Sequence, residues 1–159
     1  MKLMVVAVGT LKDKHYRDAC AEYQKRMQPM RPVDVIALRE EPLAEDAAPA
    51  AAQKALEREG ARILGALQPD DTVVALSPDG RQLDSEAFAA AIGPAAYPGS
   101  KRLVFVLGSS HGLCPAVYAR CHWRLSFGLM TFPRQLALVI LLEQIYRGQM
   151  ITLGRAYHK

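Results

Sequence analysis

The sequence predicts an α/β fold in which a mainly parallel sheet is covered by helices on both faces. Short apolar, β-branched runs alternate along the chain with longer segments whose apolar residues recur at helical spacing. The first run, Lys2–Val8, is apolar almost throughout, which is typical of a buried strand. Strands that alternate with helices in this way form parallel sheets, since each crossover carries a helix over one face.

Five runs predict the strands of this sheet. Their apolar and β-branched residues favour extended backbone, and turn signals such as Gly9 and Ser77–Gly80 close them. In chain order, the predicted strands are Lys2–Val8, Val33–Leu38, Asp71–Leu76, Leu103–Leu107 and Trp123–Phe127.

Helical periodicity fills the segments between these strands. Apolar or small residues recur at positions 16, 20, 23 and 27, and an Ala-rich helical stretch runs to Leu67. A third helix begins at Ser85, and a short fourth helix spans Cys114–Arg120. The last helix, about Pro133–Met150, is apolar around nearly its whole circumference. We therefore expect another element or a second subunit to cover it.

The chain length favours one domain. With 159 residues, half of them apolar, the chain is long enough for one α/β core and short for two, so we expect a single domain over residues 1–159. The longest strongly apolar run, Leu136–Leu142, falls well short of the roughly 20 residues that a membrane span needs. A membrane is therefore not an expected partner.

Two features favour a cytoplasmic location. The N-terminus lacks the charged leader and apolar stretch of a secretory signal. The three cysteines, Cys20, Cys114 and Cys121, are odd in number and form no C-x-x-C pair. Such usage suits reduced thiols better than a disulfide framework.

Charge is distributed unevenly along the chain. Residues 1–100 carry 12 basic and 15 acidic side chains, whereas residues 101–159 carry eight basic side chains and a single acid, Glu143. The C-terminal part is therefore expected to attract a polyanion, although basic side chains also serve simply to solubilise a surface.

Several familiar functions lack their motifs. The sequence contains no G-x-G-x-x-G after a strand, no G-x-x-x-x-G-K-[ST] and no G-x-S-x-G, so hydride transfer, nucleotide hydrolysis and a nucleophile elbow lose support. The candidate metal ligands His111, Cys114, Cys121 and His122 match no structural zinc spacing. We expect no metal site.

Three loops are the expected place for a ligand, because open parallel sheets bind ligands beyond the carboxyl ends of their strands. The loops after the third, fourth and fifth predicted strands read LSPDG (76–80), LGSSHG (107–112) and FGLMTF (127–132). Their glycines and small hydroxyl side chains let a flat heteroaromatic group approach the backbone closely. A nucleoside-like ligand fits this pattern, and so do ordinary turns between strands and helices.

The same segments resemble those of a known family. LGSSHGL (107–113), LSFGLMTFP (125–133) and LLEQIYRGQMITLGRAYHK (141–159) resemble the RlmH family of the SPOUT methyltransferase superfamily. The opening KLMVVAVGTLK and the central VVALSPDGRQLDS are similar to that family too. The resemblance covers essentially the whole chain, and its EQIYR and AYHK segments are more specific than any single glycine motif.

The resemblance implies an activity, a cofactor and partners. It implies methylation at N3 of a pseudouridine in large-subunit (23S) rRNA on the ribosome, with S-adenosylmethionine as donor. It also implies a C-terminal trefoil knot and a homodimer, and no role for DNA. Carried over by position, the expected cofactor contacts are Leu76, Gly108, Phe127, Gly128, Leu129, Met130, Thr131 and Phe132. The chain departs from the family pattern at Ser109, usually glycine, and at Arg134, often histidine.

The basic C-terminal tail is the predicted source of catalytic groups. Methyl transfer needs mainly alignment, whereas the imide nitrogen of the acceptor base must lose its proton at a cost of about 3–4 kcal/mol. Arg155 and His158 are predicted to stabilise the developing negative charge, and Tyr157 to stack on an extruded base. A disordered terminus is the alternative.

Two alternative functions stay open on the sequence. The first keeps methyl transfer but has transfer RNA as substrate. The second is a non-catalytic RNA-binding or ribosome assembly factor. The sequence shows no separate RNA-binding module, which favours a substrate presented on an assembled ribosome.

Overall fold

A computed structural model of the protein describes residues 1–157, which form a five-stranded sheet flanked by helices. The strands are β1 (Lys2–Val8), β2 (Val33–Leu38), β3 (Asp71–Gln82), β4 (Arg102–Leu107) and β5 (Trp123–Ser126). The helices are α1 (Lys14–Met27), α2 (Pro49–Ala66), α3 (Ser85–Ala91), α4 (Pro115–Arg120) and α5 (Arg134–Thr152), with a 3-10 turn at Pro94–Ala96. The sheet order is β2-β1-β4-β3-β5, and every neighbouring pair is parallel. The predicted fold class is confirmed.

Helices cover both faces of the sheet, which explains why the central strands are apolar at successive positions. Along β1, Leu3 and Val5 face the core that contains residues of α1, α3 and α5. Met4 and Val6 face the opposite core, which contains residues of α2 and α4. Because successive side chains of a strand point to opposite faces, each position of β1 is buried by one layer or the other.

The third strand differs from its prediction. We expected it to end at Leu76 and a turn to follow over Ser77–Gly80, but β3 continues beyond them. Its register against β5 shifts, so that both Leu76 and Arg81 pair with Leu125 and the four residues between them bulge out of the ladder. Gly80 lies so close to β5 that a Cβ there would be 2.6 Å from the carbonyl carbon of Leu125. The residues that predicted a turn therefore form a bulge, because Arg81 and Gln82, which follow them, pair with the edge strand β5.

The last helix packs across α1 and α3, and it extends two residues past its predicted end at Met150. Its inner face is buried through Leu138, Leu141, Leu142 and Ile145. The expected cover is thus provided on one side, while apolar residues elsewhere on α5 stay only half-buried. Between Met1 and Tyr157, no helix combines the length and apolarity that a membrane crossing needs.

Side-chain amides fix both ends of α5. Near its start, Gln135 accepts hydrogen bonds from the backbone N–H groups of Lys12, at 2.7 Å, and Asp13, at 3.2 Å. Near its end, the buried Gln149 exchanges two hydrogen bonds, both 2.9 Å, with the backbone of Arg31. These contacts hold the helix in one register against the loops before and after α1.

The amino ends of the strands are held by a buried ion pair. Arg102 Nε donates to Asp71 Oδ1 at 2.6 Å, and Arg102 Nη2 donates to Oδ2 of the same carboxylate. The backbone N–H of Gln68 also donates to Asp71, at 2.7 Å. Burial alone raises the pKa of the Asp71 carboxyl, but the hydrogen bonds from Arg102 and Gln68 outweigh it and leave that pKa below its ordinary value. Asp71 is therefore ionised in the folded protein at neutral pH.

Candidate functional site

A cavity of about 630 Å³ opens at the carboxyl ends of β3, β4 and β5. Its wall consists of the bulge in β3, the loops after β4 and β5, part of α4 and the first turn of α5. The lining residues are Leu76, Ser77, Pro78, Leu107, Gly108, Ser109, Ser110, Gly112, Tyr118, Leu125, Ser126, Phe127, Gly128, Met130, Thr131, Phe132, Pro133, Arg134 and Ala137. The position is the one that parallel sheets offer to ligands, and the volume is typical of small-molecule sites.

Most of the predicted cofactor contacts line this cavity. They are Leu76, Gly108, Phe127, Gly128, Met130, Thr131 and Phe132. Leu129 is the exception, because its side chain is 92% exposed and does not line the cavity. The neighbouring Met130 borders the cavity yet is 77% exposed. The tip of the loop after β5 thus holds two large apolar side chains in solvent.

Glycines close the loop after β4 on itself. Gly112 has a φ of +89°, and its N–H donates to the carbonyl of Ser109 at 3.0 Å. A Cβ on Gly108 would lie 2.2 Å from the carbonyl oxygen of Gly112. We expected Gly108 to leave room for a ligand, but Gly112 already occupies the space beside it. Position 108 requires glycine because the loop folds back and places Gly112 against the end of β4.

A polar cluster at the cavity was not predicted from the sequence. The Ser77 hydroxyl donates to the Asp79 carboxylate and lies 3.2 Å from the Tyr118 hydroxyl. Arg124 pairs with Asp79 at 2.7 Å, and its guanidinium lies 4.2 Å over the ring of Tyr118. The hydrogen bond from Ser77 and the charge of Arg124 hold the pKa of Asp79 below its ordinary value. No motif marks Tyr118, since only the packing of α4 beside the β3 bulge brings its side chain here.

Arg134, one of the two departures from the family pattern, lies in the cavity wall. Its Nη2 donates to the carbonyl of Thr10 at 3.0 Å. The guanidinium packs over Gly9, where a Cβ would lie 2.7 Å from Nη2. The loop between β1 and α1 therefore holds a cation at the wall of the cavity.

The predicted catalytic tail lies at the other end of α5. Arg155 lines a second cavity, of about 380 Å³, together with Thr152. Ala137 belongs to the wall of the first cavity, and a helical rise of 1.5 Å per residue places Thr152 about 22 Å from it. The structure therefore does not bring Arg155 to the first cavity of its own chain. His158, the other predicted catalytic residue, lies outside the described residues.

Tyr157 packs on α5. Its hydroxyl donates to Glu143 at 3.3 Å, its ring meets Tyr146 edge-on at 4.8 Å, and the guanidinium of Arg147 lies 4.8 Å over it. Burial and a hydrogen bond with Tyr23 raise the pKa of Tyr157 to about 12, so the phenol keeps its proton at neutral pH. Stacking on a base, as predicted for this ring, requires it to leave these contacts.

The remaining candidate residues do not form a site together. His111 is exposed and does not line the cavity. Cys121 donates to the carbonyl of Val117 at 3.1 Å, and Nδ1 of His122 accepts from the backbone N–H of Val73 at 3.0 Å. Over the stretch 1–157, no three His, Cys, Asp or Glu side chains are arranged to hold a metal ion.

Comparison with known proteins identifies the family. A family model described as "Predicted SPOUT methyltransferase" matches residues 1–158. The chain belongs to the SPOUT methyltransferase family.

Full-length relatives of this SPOUT methyltransferase carry a more specific name. A protein of Lactococcus lactis subsp. cremoris (strain SK11) is 43% identical over 159 residues and is covered over 100% of both chains. A protein of Lactococcus lactis subsp. lactis (strain IL1403) matches with the same identity and coverage. Both are named "Ribosomal RNA large subunit methyltransferase H". The resemblance inferred from the motifs is confirmed.

Solved structures share the fold of this SPOUT methyltransferase. A probable methylase family protein from Haemophilus influenzae Rd KW20 has a TM-score of 0.56 and 14% identity, over 99% of this chain and 70% of its own. A probable rRNA-methyltransferase from Porphyromonas gingivalis has a TM-score of 0.50 and 12% identity, over 95% and 69%. At these identities the likeness shows the fold alone. The knot that the resemblance implies stays a prediction.

Proposed function

We propose that this SPOUT methyltransferase uses S-adenosylmethionine to methylate N3 of a pseudouridine in large-subunit rRNA. The full-length identity of 43% to proteins named for ribosomal RNA methylation carries the proposal. The cavity beyond β3, β4 and β5 supports it, because seven of the eight predicted cofactor contacts line it. The proposal has the ribosome as partner and therefore a cytoplasmic location.

The cavity suits S-adenosylmethionine in size and chemistry. Its volume of about 630 Å³ lies within the range of small-molecule sites. Leu76, Phe127 and Phe132 offer apolar surface for the flat base, while the turns around Gly108 and Gly128 offer backbone donors and acceptors. When bound, S-adenosylmethionine supplies an activated methyl group, so the protein has to align it with the acceptor.

Cationic groups have the second chemical task. The acceptor nitrogen becomes a nucleophile only after it loses its proton, and a nearby positive charge stabilises the resulting anion. We propose Arg155 and His158 for this task. Arg134, at the cavity wall, is the candidate that remains if the tail proves dispensable.

A homodimer reconciles this role of Arg155 with its distance from the cavity. Leu136, Ile140 and Ile151 recur at helical spacing on α5 and are only half-buried, so they offer an apolar surface to a second copy. Two-fold symmetric pairing across such a surface places the two α5 helices antiparallel when they lie across the axis. The end of one helix, with its tail, then lies near the start of the other, which lines the partner's cavity.

Nucleoside mass spectrometry tests the substrate. A strain that lacks the gene is expected to lose N3-methylated pseudouridine from its 23S rRNA and to regain it when the gene is restored. Loss of a methylated nucleoside from tRNA, with rRNA unchanged, would contradict the proposal and favour the tRNA alternative.

Calorimetry with S-adenosylmethionine tests the enzyme class separately. We expect one site per chain on the purified protein. A folded protein that binds no S-adenosylmethionine would contradict the proposal and favour a non-catalytic RNA-binding factor.

A further inference from the structure

A buried carboxylate ties the loop after β4 to α2. Glu59 on α2 is only 4% exposed, and its Oε2 accepts a hydrogen bond from the Ser109 hydroxyl at 2.8 Å. Its Oε1 accepts from the backbone N–H of Glu41 at 2.9 Å. Ser109 lines the cavity. The contact therefore joins α2 directly to the cavity wall.

The contact depends on a close approach of α2 to the start of α4. A Cβ on Gly60 would lie 2.2 Å from the sulfur of Cys114, the residue directly before α4. Because Gly60 follows Glu59, the stretch of α2 that needs a glycine is also the stretch that presents the carboxylate. Gly60 thus lets α2 pack closely against Cys114, and its neighbour Glu59 bonds to Ser109 in the loop after β4.

Glu59 has neutral donors as its hydrogen-bond partners. Arg58 and Arg62 both pair with Glu41, and among residues 1–157 Glu59 itself is in no ion pair. Burying a polar side chain carries a desolvation cost, and an apolar side chain of similar volume serves packing at least as well. We therefore infer that Glu59 serves to hold the Ser109 hydroxyl and the Glu41 N–H at defined positions.

The loop after β4 is exposed between Ser109 and Gly112. Ser110 and His111 lie in solvent, the Gly112 N–H donates to the Ser109 carbonyl, and Ser109 is bonded to Glu59. Both hydrogen bonds that hold the turn therefore pass through Ser109. If this residue moves, the backbone groups at the cavity move with it.

We propose that Glu59 is a positioning residue for the methyl donor. Through Ser109 it fixes the loop after β4 in the form that binds S-adenosylmethionine. The inference rests on the proposed function, since it takes the first cavity as the donor site.

Cofactor affinity of three variants tests this inference. Ser109→Ala removes the donor, Glu59→Ala removes the acceptor, and a third variant combines both changes. Each single variant is expected to bind S-adenosylmethionine about tenfold more weakly in calorimetry, the scale of one hydrogen bond to a charged group. The double variant is expected to bind no more weakly than the weaker single variant, because both changes break the same link.

Gln149→Ala is the matched control. Gln149 is also 4% exposed and also makes two hydrogen bonds, but with Arg31, at the opposite end of α5 from the first cavity of its own chain. This variant is expected to be destabilised and to keep its affinity for S-adenosylmethionine. Hydrogen exchange of the Gly112 amide, measured without S-adenosylmethionine, is expected to quicken in the Ser109 and Glu59 variants and not in the control.

Three results would overturn the inference. They are affinities of both single variants within about twofold of the wild type, equal losses in Glu59→Ala and Gln149→Ala, and a double variant whose loss is the product of the single losses. A wild-type protein that binds no S-adenosylmethionine would overturn the proposed function and this inference with it. Normal wild-type binding with unchanged variants would overturn this inference alone.

Discussion

The amino and carboxyl ends of the sheet differ in what forms them: mainly side-chain contacts at the amino ends, and mainly backbone turns at the carboxyl ends. At the amino ends, charged side chains hold the chain, through the pair of Asp71 with Arg102 and through Arg120, whose Nη2 donates to the carbonyls of Gln68, Pro69 and Asp71. At the carboxyl ends, backbone turns such as that at Gly112 form the wall of a cavity, and Leu129 lies in solvent. The bonded charged side chains at the amino ends give stability, whereas the turns in the cavity wall give a place to bind. We therefore expect stability and binding to be separable by mutation.

The largest expected effect is at the amino end. Asp71→Asn leaves Arg102 buried beside a neutral amide, and it should lower the free energy of unfolding by about 3 kcal/mol. Denaturant titration measures this loss, and calorimetry on the folded variant should show wild-type affinity for S-adenosylmethionine. Asp70→Asn is the control, because its pair with Lys101 is exposed and should contribute little. A tenfold loss of affinity in folded Asp71→Asn would contradict the separation of the two ends.

The same pair predicts how stability depends on pH. Because the folded-state pKa of Asp71 is lowered, its contribution is present above the unfolded-state pKa and is lost as pH falls through the folded-state value. The difference in unfolding free energy between wild type and Asp71→Asn should therefore be constant near neutrality and shrink below about pH 4. Denaturant titrations from pH 7 to pH 3 check this. A difference that grows toward low pH would be the wrong sign.

The next effect concerns catalysis at the end of α5. Arg155→Ala should lower methylation of ribosomes by about 100-fold and leave the affinity for S-adenosylmethionine nearly intact, because the lost charge acts on the acceptor. Lys54→Ala, which removes an exposed cation from α2, controls for the loss of positive charge. Single-turnover assays measure the effect. Wild-type turnover of Arg155→Ala would move the search to Arg134.

A substitution in the cavity wall should mainly affect binding. Ala137→Phe fills space beside the first turn of α5 and should weaken S-adenosylmethionine binding about tenfold or more. Mixed dimers of Ala137→Phe and Arg155→Ala subunits should regain part of the activity, because one of their two sites then has both an intact cavity and an intact tail. Mixed dimers that are as inactive as their parents would contradict a tail that acts across the dimer.

The smallest effect is expected for Tyr157→Phe. The change removes the hydrogen bonds of the hydroxyl with Glu143 and Tyr23 and keeps the contacts of the ring with Tyr146 and Arg147. The unfolding free energy should fall by about 1 kcal/mol or less. Thermal unfolding measures it. A loss as large as that of Asp71→Asn would show that the tail contributes more to folding than its contacts indicate.

The sequence predicted the elements whose pattern is local. β1 and β2 have the predicted bounds, and α4 and β5 lie within one residue of theirs, since periodicity and turn residues decide these elements. β3 was predicted too short, because its extension exists through pairing with β5, some forty residues further along the chain. Non-local pairing leaves no mark in the composition of the strand itself.

The site was predictable in part for the same reason. The rule that ligands bind at the carboxyl ends of parallel strands located the loops around Gly108 and Phe127. It could not locate Tyr118 or Ala137, which reach the cavity only through the packing of α4 and α5. It also could not show that Thr152, which lines the second cavity with Arg155, lies about 22 Å from Ala137 along α5, because that distance depends on the path of the helix.

The sheet order has a consequence for synthesis on the ribosome. β1 lies between β2 and β4, and Lys2 pairs with Arg102. The second edge of β1 therefore stays unpaired until β4, which is translated much later, has been made. At about 5–20 residues per second, the interval between Leu38 and Leu107 lasts roughly 3–14 s. Throughout it, the nascent chain has an apolar strand with one unpaired edge, the kind of edge that recruits other chains. We expect chaperones that bind nascent chains to matter most in this interval, and the emergence of β4 to end the need for them.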